Sequence, residues 1–108
     1  MEIRWSAFAL DSMVEILKYI ELNFGKETSL NAYQRINEHI SLLGNFPFLG
    51  VSDNHLNTPN IEVRHLVCSP SIIYYLIDNN TITVASIFDC RQSKETMEKT
   101  LSEILKLY

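Results

Sequence analysis

Residues 63 to 91 read Val-Arg-His-Leu-Val-Cys-Ser-Pro-Ser-Ile-Ile-Tyr-Tyr-Leu-Ile-Asp-Asn-Asn-Thr-Ile-Thr-Val-Ala-Ser-Ile-Phe-Asp-Cys-Arg. Three runs rich in β-branched and aromatic residues, near 62 to 68, 71 to 78 and 81 to 89, are separated by turn formers, the pattern of hairpin-linked strands. Between the last two stands Asp78-Asn79-Asn80-Thr81. Asparagine tolerates positive φ, and a two-residue type I′ turn demands it at both central positions, so the spacing predicts a tight antiparallel hairpin.

Upstream of these strands, residues 44 to 61 are rich in turn formers and show no period. They predict a long loop, of the kind that is commonly functional or mobile. Before it, Ala9, Met13, Ile16, Leu17, Ile20 and Phe24 recur at three- and four-residue steps, which puts them on one face of a helix from Ala7 to about Asn23. Ser6 suits its N-cap, and Gly25 can take the left-handed conformation that ends it. A second helix is expected from Thr28 or Ser29 to Gly44, burying Tyr33, Ile36, Ile40 and Leu43. So short a link makes the two helices antiparallel neighbours. Glu2 to Trp5 alternates like an edge strand, and Ser93 can cap a C-terminal helix with Met97, Leu101, Ile104, Leu105 and Tyr108 on one face. The order β-α-α-β-β-β-α is that of an α+β fold: an antiparallel sheet packed against an N-terminal helical hairpin, with a C-terminal helix.

A chain of 108 residues predicts a single domain spanning 1–108, and 46% apolar with 20% charged residues marks it as ordinary globular protein. No apolar run is long enough to span a bilayer, and residues 1 to 20 lack the features of a secretion signal, so no membrane partner and a cytoplasmic address are expected. Nine Lys+Arg against thirteen Asp+Glu give a net charge of −4, which argues against a broad grip on a polyanion. Cys68 and Cys90 lack CxxC spacing and are expected as thiols at strand ends. The His, Cys, Asp and Glu spacings point to no metal, and three glycines form no phosphate cradle, so no cofactor is expected.

Val63-Arg64-His65-Leu66, then Ser71-Ile72-Ile73-Tyr74-Tyr75, then Asp89-Cys90-Arg91 resembles the core of the RelE/ParE superfamily of bacterial toxins, and Phe46-Pro47 with Gly50 is similar to its Phe-Pro-x-x-Gly element after the second helix. The resemblance runs from Trp5 to Arg91 and implies the same α+β architecture. It also implies a toxin of a type II toxin–antitoxin (plasmid stabilisation) module, neutralised by a cognate antitoxin. The ParE branch of the superfamily traps DNA gyrase; the RelE branch cleaves messenger RNA on the ribosome. Three positions depart from the pattern, with two frequent cations lost: Ser71-Ile72 replaces a frequent Tyr-Arg, and Leu76 a frequent arginine. RNA cleavage needs several cations to neutralise its transition state, and residues 44 to 62 contain no Lys or Arg. The ParE branch is therefore the closer match, with the ribosome-dependent endoribonuclease as one alternative and an inactive interaction domain as another.

Individual residues follow from the same reading. Arg64, a permanent cation inside an apolar strand, must be paired or lie at the sheet surface. It is a candidate to bind a phosphate or a partner carboxylate, or else an ion pair with Glu62 or Asp89 that holds strand ends together. Arg91 follows the last strand, and the expectation is that it converges with Arg64 into one basic feature, with Asp89 orienting one guanidinium and leaving the other free. His55 is the only histidine in the long loop and so the only one placed where loops carry function; His39 and His65 read as packing or surface residues. Tyr74, Tyr75, Met97, Leu101, Ile104 and Tyr108 are candidate antitoxin contacts. No catalytic residue is assigned.

Overall fold

The computed structural model describes residues 1–108. In chain order it contains β1 (Glu2–Trp5), α1 (Ala7–Phe24), α2 (Lys26–Leu42), β2 (Val51–Ser52), one 3-10 turn (Asn54–Leu56), β3 (Glu62–Cys68), β4 (Ser71–Asp78), β5 (Thr81–Asp89) and α3 (Lys94–Leu105). The strands form one sheet in the order β1-β5-β4-β3-β2. Its hairpin-linked strands are antiparallel, and β1 joins the edge of β5 in parallel.

The β4–β5 hairpin closes at Asp78 and Thr81 as expected, but only Asn79 takes positive φ, at 54°. One positive φ at the first central residue is the sign pattern of a type II′ turn, not type I′. The β3–β4 turn is Ser69–Pro70, whose peptide bond is cis. In β5, Ile82 and Val84 face the α1–α2 side, whereas the next residue on that side is Ile87. The register shift between Tyr74 and Tyr75 explains the break in alternation: Ala85 is the extra residue of a bulge, and the faces swap parity beyond it.

Both faces of the sheet are covered. The helical hairpin packs Ala9, Met13, Ile36 and Ile40 against Cys68, Ile73, Val84 and Ile87. On the opposite face α3 packs Met97, Leu101 and Ile104 against Val63, Tyr74, Leu76 and Phe88. This double cover is why β4 reads as an unbroken apolar run. Capping at the helix starts is as the sequence predicts: the Ser6 and Ser93 hydroxyls accept from the backbone N–H groups of Ala9 and Thr96.

Three local expectations are corrected. Gly25, at φ 94°, is the whole link between the first two helices, so α2 starts at Lys26 rather than Thr28 or Ser29, and it ends at Leu42. Tyr33 and Phe24 keep the helical period, but both are exposed rather than buried. Residues 44 to 61 are not a featureless loop: they carry β2, the 3-10 turn and an isolated bridge between Thr58 and Ile61.

Candidate functional site

The segment from Phe46 to Gly50 is pinned to the sheet by two residues of its helical-hairpin face, Tyr75 and Arg64. Tyr75 is fully buried, and its hydroxyl donates to Pro47 O at 2.8 Å while accepting from the Gly50 N–H at 2.9 Å. Burial raises its phenol pKa, against the lowering effects of the Gly50 N–H and Arg64. Gly50 is a glycine for want of space: a Cβ there would lie 2.5 Å from His65 O and 2.8 Å from the Tyr75 ring.

Arg64 reaches the same segment. Its Nε donates to Glu62 Oε2 at 2.9 Å, and its Nη1 donates to Gly50 O at 2.7 Å and Phe48 O at 3.3 Å. The guanidinium carbon stands 5.0 Å from the centroid of the Phe48 ring. With only 17% of its side chain exposed, Arg64 is occupied with clamping the chain after α2 onto the sheet.

Arg91 sits elsewhere. It makes a bidentate pair with Asp89, Nε to Oδ1 at 3.0 Å and Nη2 to Oδ2 at 2.8 Å, and lies 5.2 Å from the centroid of Tyr19 on α1. Hydrogen bonding to Arg91 lowers the Asp89 pKa, and Asp89, then Tyr19, raises that of Arg91. Asp89 is in register with Ser71, and Ser71 with Cys68. Arg64 is four residues from Cys68, so the two arginines stand at least about 13 Å apart along the sheet. The expected single basic feature does not form: each arginine has its own carboxylate, and neither guanidinium is left free.

On the α3 face lies a group that the sequence reading passed over. His65 Nδ1 is 2.7 Å from Oδ2 of the buried Asp53, and its ring centroid is 5.3 Å from that of Tyr74. Tyr74 meets Phe88 edge to face. Burial, then the charges of Asp53 and Glu98, push the Tyr74 phenol up to about 12. His55, the loop candidate, pairs with Glu98 of α3 at 2.8 Å and so ties the 3-10 turn to that helix. Asp53 and His65 are 12 residues apart in sequence, a separation that no spacing rule flags.

The proposed antitoxin contacts are corrected as surfaces. Tyr74, Tyr75, Met97, Leu101 and Ile104 are all buried in the fold's own core, and of the six only Tyr108 is exposed. Cys68 is buried and Cys90 exposed, and both are free thiols. No cluster of three or more His, Cys, Asp or Glu residues is arranged to hold a metal ion. No helix is long and apolar enough to cross a membrane.

Residues 3–94 match the family model described as the ParE toxin of the type II toxin–antitoxin system parDE. The chain belongs to the ParE toxin family. The fold agrees: a solved structure titled "Chromosomal ParDE TA system from P. aeruginosa" superposes with a TM-score of 0.66 at 20% identity, covering 82% of this chain and 95% of that one. No curated protein matches the sequence. Membership puts the Arg64 clamp and the Asp89–Arg91 pair within the part of the chain that the ParE model covers, whereas most of α3 lies beyond it.

Proposed function

We propose that this ParE-family chain is the toxin of a type II module that acts by binding a cellular target, with DNA gyrase the candidate, and that a cognate antitoxin neutralises it. The observation that carries this reading is the way the cations are spent. Arg64 is consumed by Glu62 and two backbone carbonyls, and Arg91 by Asp89 and Tyr19. Across the α3 face the field at Tyr74 is negative, from Asp53 and Glu98. A phosphodiester transition state needs the reverse.

The test is induced expression in a bacterial host with and without the neighbouring gene. Growth arrest accompanied by a DNA damage response and gyrase-linked breaks, with messenger RNA intact, is the expected outcome, relieved by the neighbouring gene. Ribosome-dependent cleavage of transcripts by the purified protein would overturn it.

One observation favours that second, ribonuclease reading. A buried carboxylate on Nδ1 holds the His65 ring and leaves Nε2 as a free ring nitrogen beside Tyr74, the arrangement of an oriented general base. On that reading His65→Ala abolishes toxicity without unfolding the protein; on the gyrase reading toxicity survives.

A further inference from the structure

The helical hairpin turns one face to the sheet and the other to solvent, and the solvent face is not uniformly polar. Leu10, Val14 and Leu17 follow α1 at steps of four and three, and Leu30 and Tyr33 stand beside them on α2. Leu17, Leu30 and Tyr33 line a shallow cavity of about 210 Å³ between the two helices. Leu10, Val14, Leu30 and Tyr33 are each between 45% and 55% exposed. α3 covers the far side of the sheet, so no element of the chain itself lies over this face.

The charges here are sorted by position. Lys18 and Lys26 stand towards the tip of the hairpin, near Gly25, and Asp11 and Glu38 towards its base. All four are exposed, and the chain's seven ion pairs all lie outside α1 and α2. With Glu21 and Glu27 the tip is neutral as a whole, whereas the base is acidic. Stacked base on base, two copies at net −4 would set Asp11 and Glu38 against their equivalents with no free cation between them, because Arg35 already donates to Ser69 O. Stacked tip over base, they would not.

The spacing fits that second arrangement. The Ser29 hydroxyl donates to Leu17 O at 2.9 Å, which puts these two residues at one level of the antiparallel hairpin. Asp11 and Lys18 are centred between Val14 and Glu15, and Lys26 and Glu38 on Ala32. Counted from the Leu17–Ser29 contact, the two midpoints fall within about 1 Å of each other along the helices, at about 1.5 Å per residue. A single two-fold axis running across the helices at that level therefore brings Lys18 opposite Asp11, and Lys26 opposite Glu38, of a second copy. With 18 and 17 residues the helices are about 25 Å long and roughly 10 Å wide each, so two such faces enclose about 1,000 Å², the size at which specific interfaces begin.

We propose that this face pairs two copies of the chain, tip over base, into a four-helix layer with an apolar centre, held towards its ends by Lys18–Asp11 and Lys26–Glu38 pairs between the copies. The dimer goes beyond the toxin reading and does not depend on the target. It leaves α3 of each copy on the outside.

The test is sedimentation equilibrium on the purified full chain at tens of micromolar. The chain should dimerise at low ionic strength and dissociate progressively as salt is added. Lys18→Glu and Asp11→Lys, each alone, should raise the dimer dissociation constant on the order of tenfold or more, and the double reversal should return it to within about threefold of the parent. Circular dichroism checks the fold; where a reversal unfolds the chain, Lys18→Gln or Asp11→Asn takes its place, with an expected weakening of about threefold. A chain that stays monomeric throughout overturns the proposal, as does a dimer that ignores the single reversals or is not restored by the double one. A chain that is monomeric alone, and whose α1 and α2 gain protection from hydrogen exchange only with the product of the neighbouring gene, overturns it in favour of an antitoxin on this face. None of these outcomes touches the toxin reading.

Discussion

Arg64 and Arg91 flank the same motif-bearing strands and each pairs with a carboxylate two residues away, yet they do different physical work. The pair at Arg64 is largely withdrawn from water and spans from β3 to the backbone of residues 48 and 50, so it ties together parts of the chain that are remote in sequence. The Asp89–Arg91 pair lies at the end of one strand and touches only the exposed Tyr19 beyond it, with 66% of the arginine side chain exposed. Only the first should register strongly in stability. An exposed pair gains little because water and salt screen it and side-chain entropy opposes it, whereas breaking a sequestered one strands a charge and its acceptors.

The sharpest way to break the Arg64 side of the comparison is to remove the space that it encloses. Gly50→Ala places a methyl group against the His65 carbonyl and the Tyr75 ring, where β3 itself would have to move, and should cost about 3 kcal/mol or more in denaturant unfolding. Arg64→Ala should follow, at roughly 2–3 kcal/mol, by leaving Glu62 and the carbonyls of Phe48 and Gly50 without their donor. A melting temperature unchanged from the parent would show the clamp to be ornamental. Tyr75→Phe removes one donated and one accepted hydrogen bond while keeping the ring, and should cost about 1–2 kcal/mol by the same assay.

The smallest effect belongs to Arg91→Ala, which should lower the melting temperature at pH 7 only slightly. Its signature is that this small difference shrinks at acid pH. The Asp89 carboxyl is held below its ordinary value by Arg91, so the stability it contributes is present above the unfolded-state pKa and is lost as pH falls through the lower folded-state value. Melting curves between pH 5 and 2 should therefore lose a little less stability in Arg91→Ala than in the parent. An identical acid limb in both proteins would mean that the pair contributes nothing in solution.

The elements themselves were legible in the sequence because each buries one periodic face. Ala9, Met13 and Ile20, and later Met97, Leu101 and Ile104, fall at helical spacing and are buried. Phe24 and Tyr33 are exceptions because periodicity reports which side of a helix a residue faces, not how closely a neighbouring element covers it there. The two-residue β2 is too short to carry an alternation. The bulge at Ala85, by contrast, is written in the sequence as the slip from Ile82 and Val84 to Ile87. The sites were harder to read, since what decides the role of Arg64 is a pair of backbone carbonyls, and no side-chain pattern encodes a carbonyl. His65 reads as a packing or surface residue because it lies within a strand, and its partner, Asp53, comes from a segment with no period. Gly50 was visible as part of a short element, but its reason, the Tyr75 ring, became plain only in three dimensions.

The brevity of β2 has one more outcome. It pairs only with His65 and Arg64, so Leu66 to Cys68 on the outer side of β3 have no neighbouring strand, and Val67 stands exposed there. At the opposite margin β1 and the serine hydroxyls occupy the backbone groups of β5. The stretch of β3 from Leu66 to Cys68 is thus an edge to which an extended segment of another chain can pair, whereas β5 beyond the end of β1 is closed to such pairing.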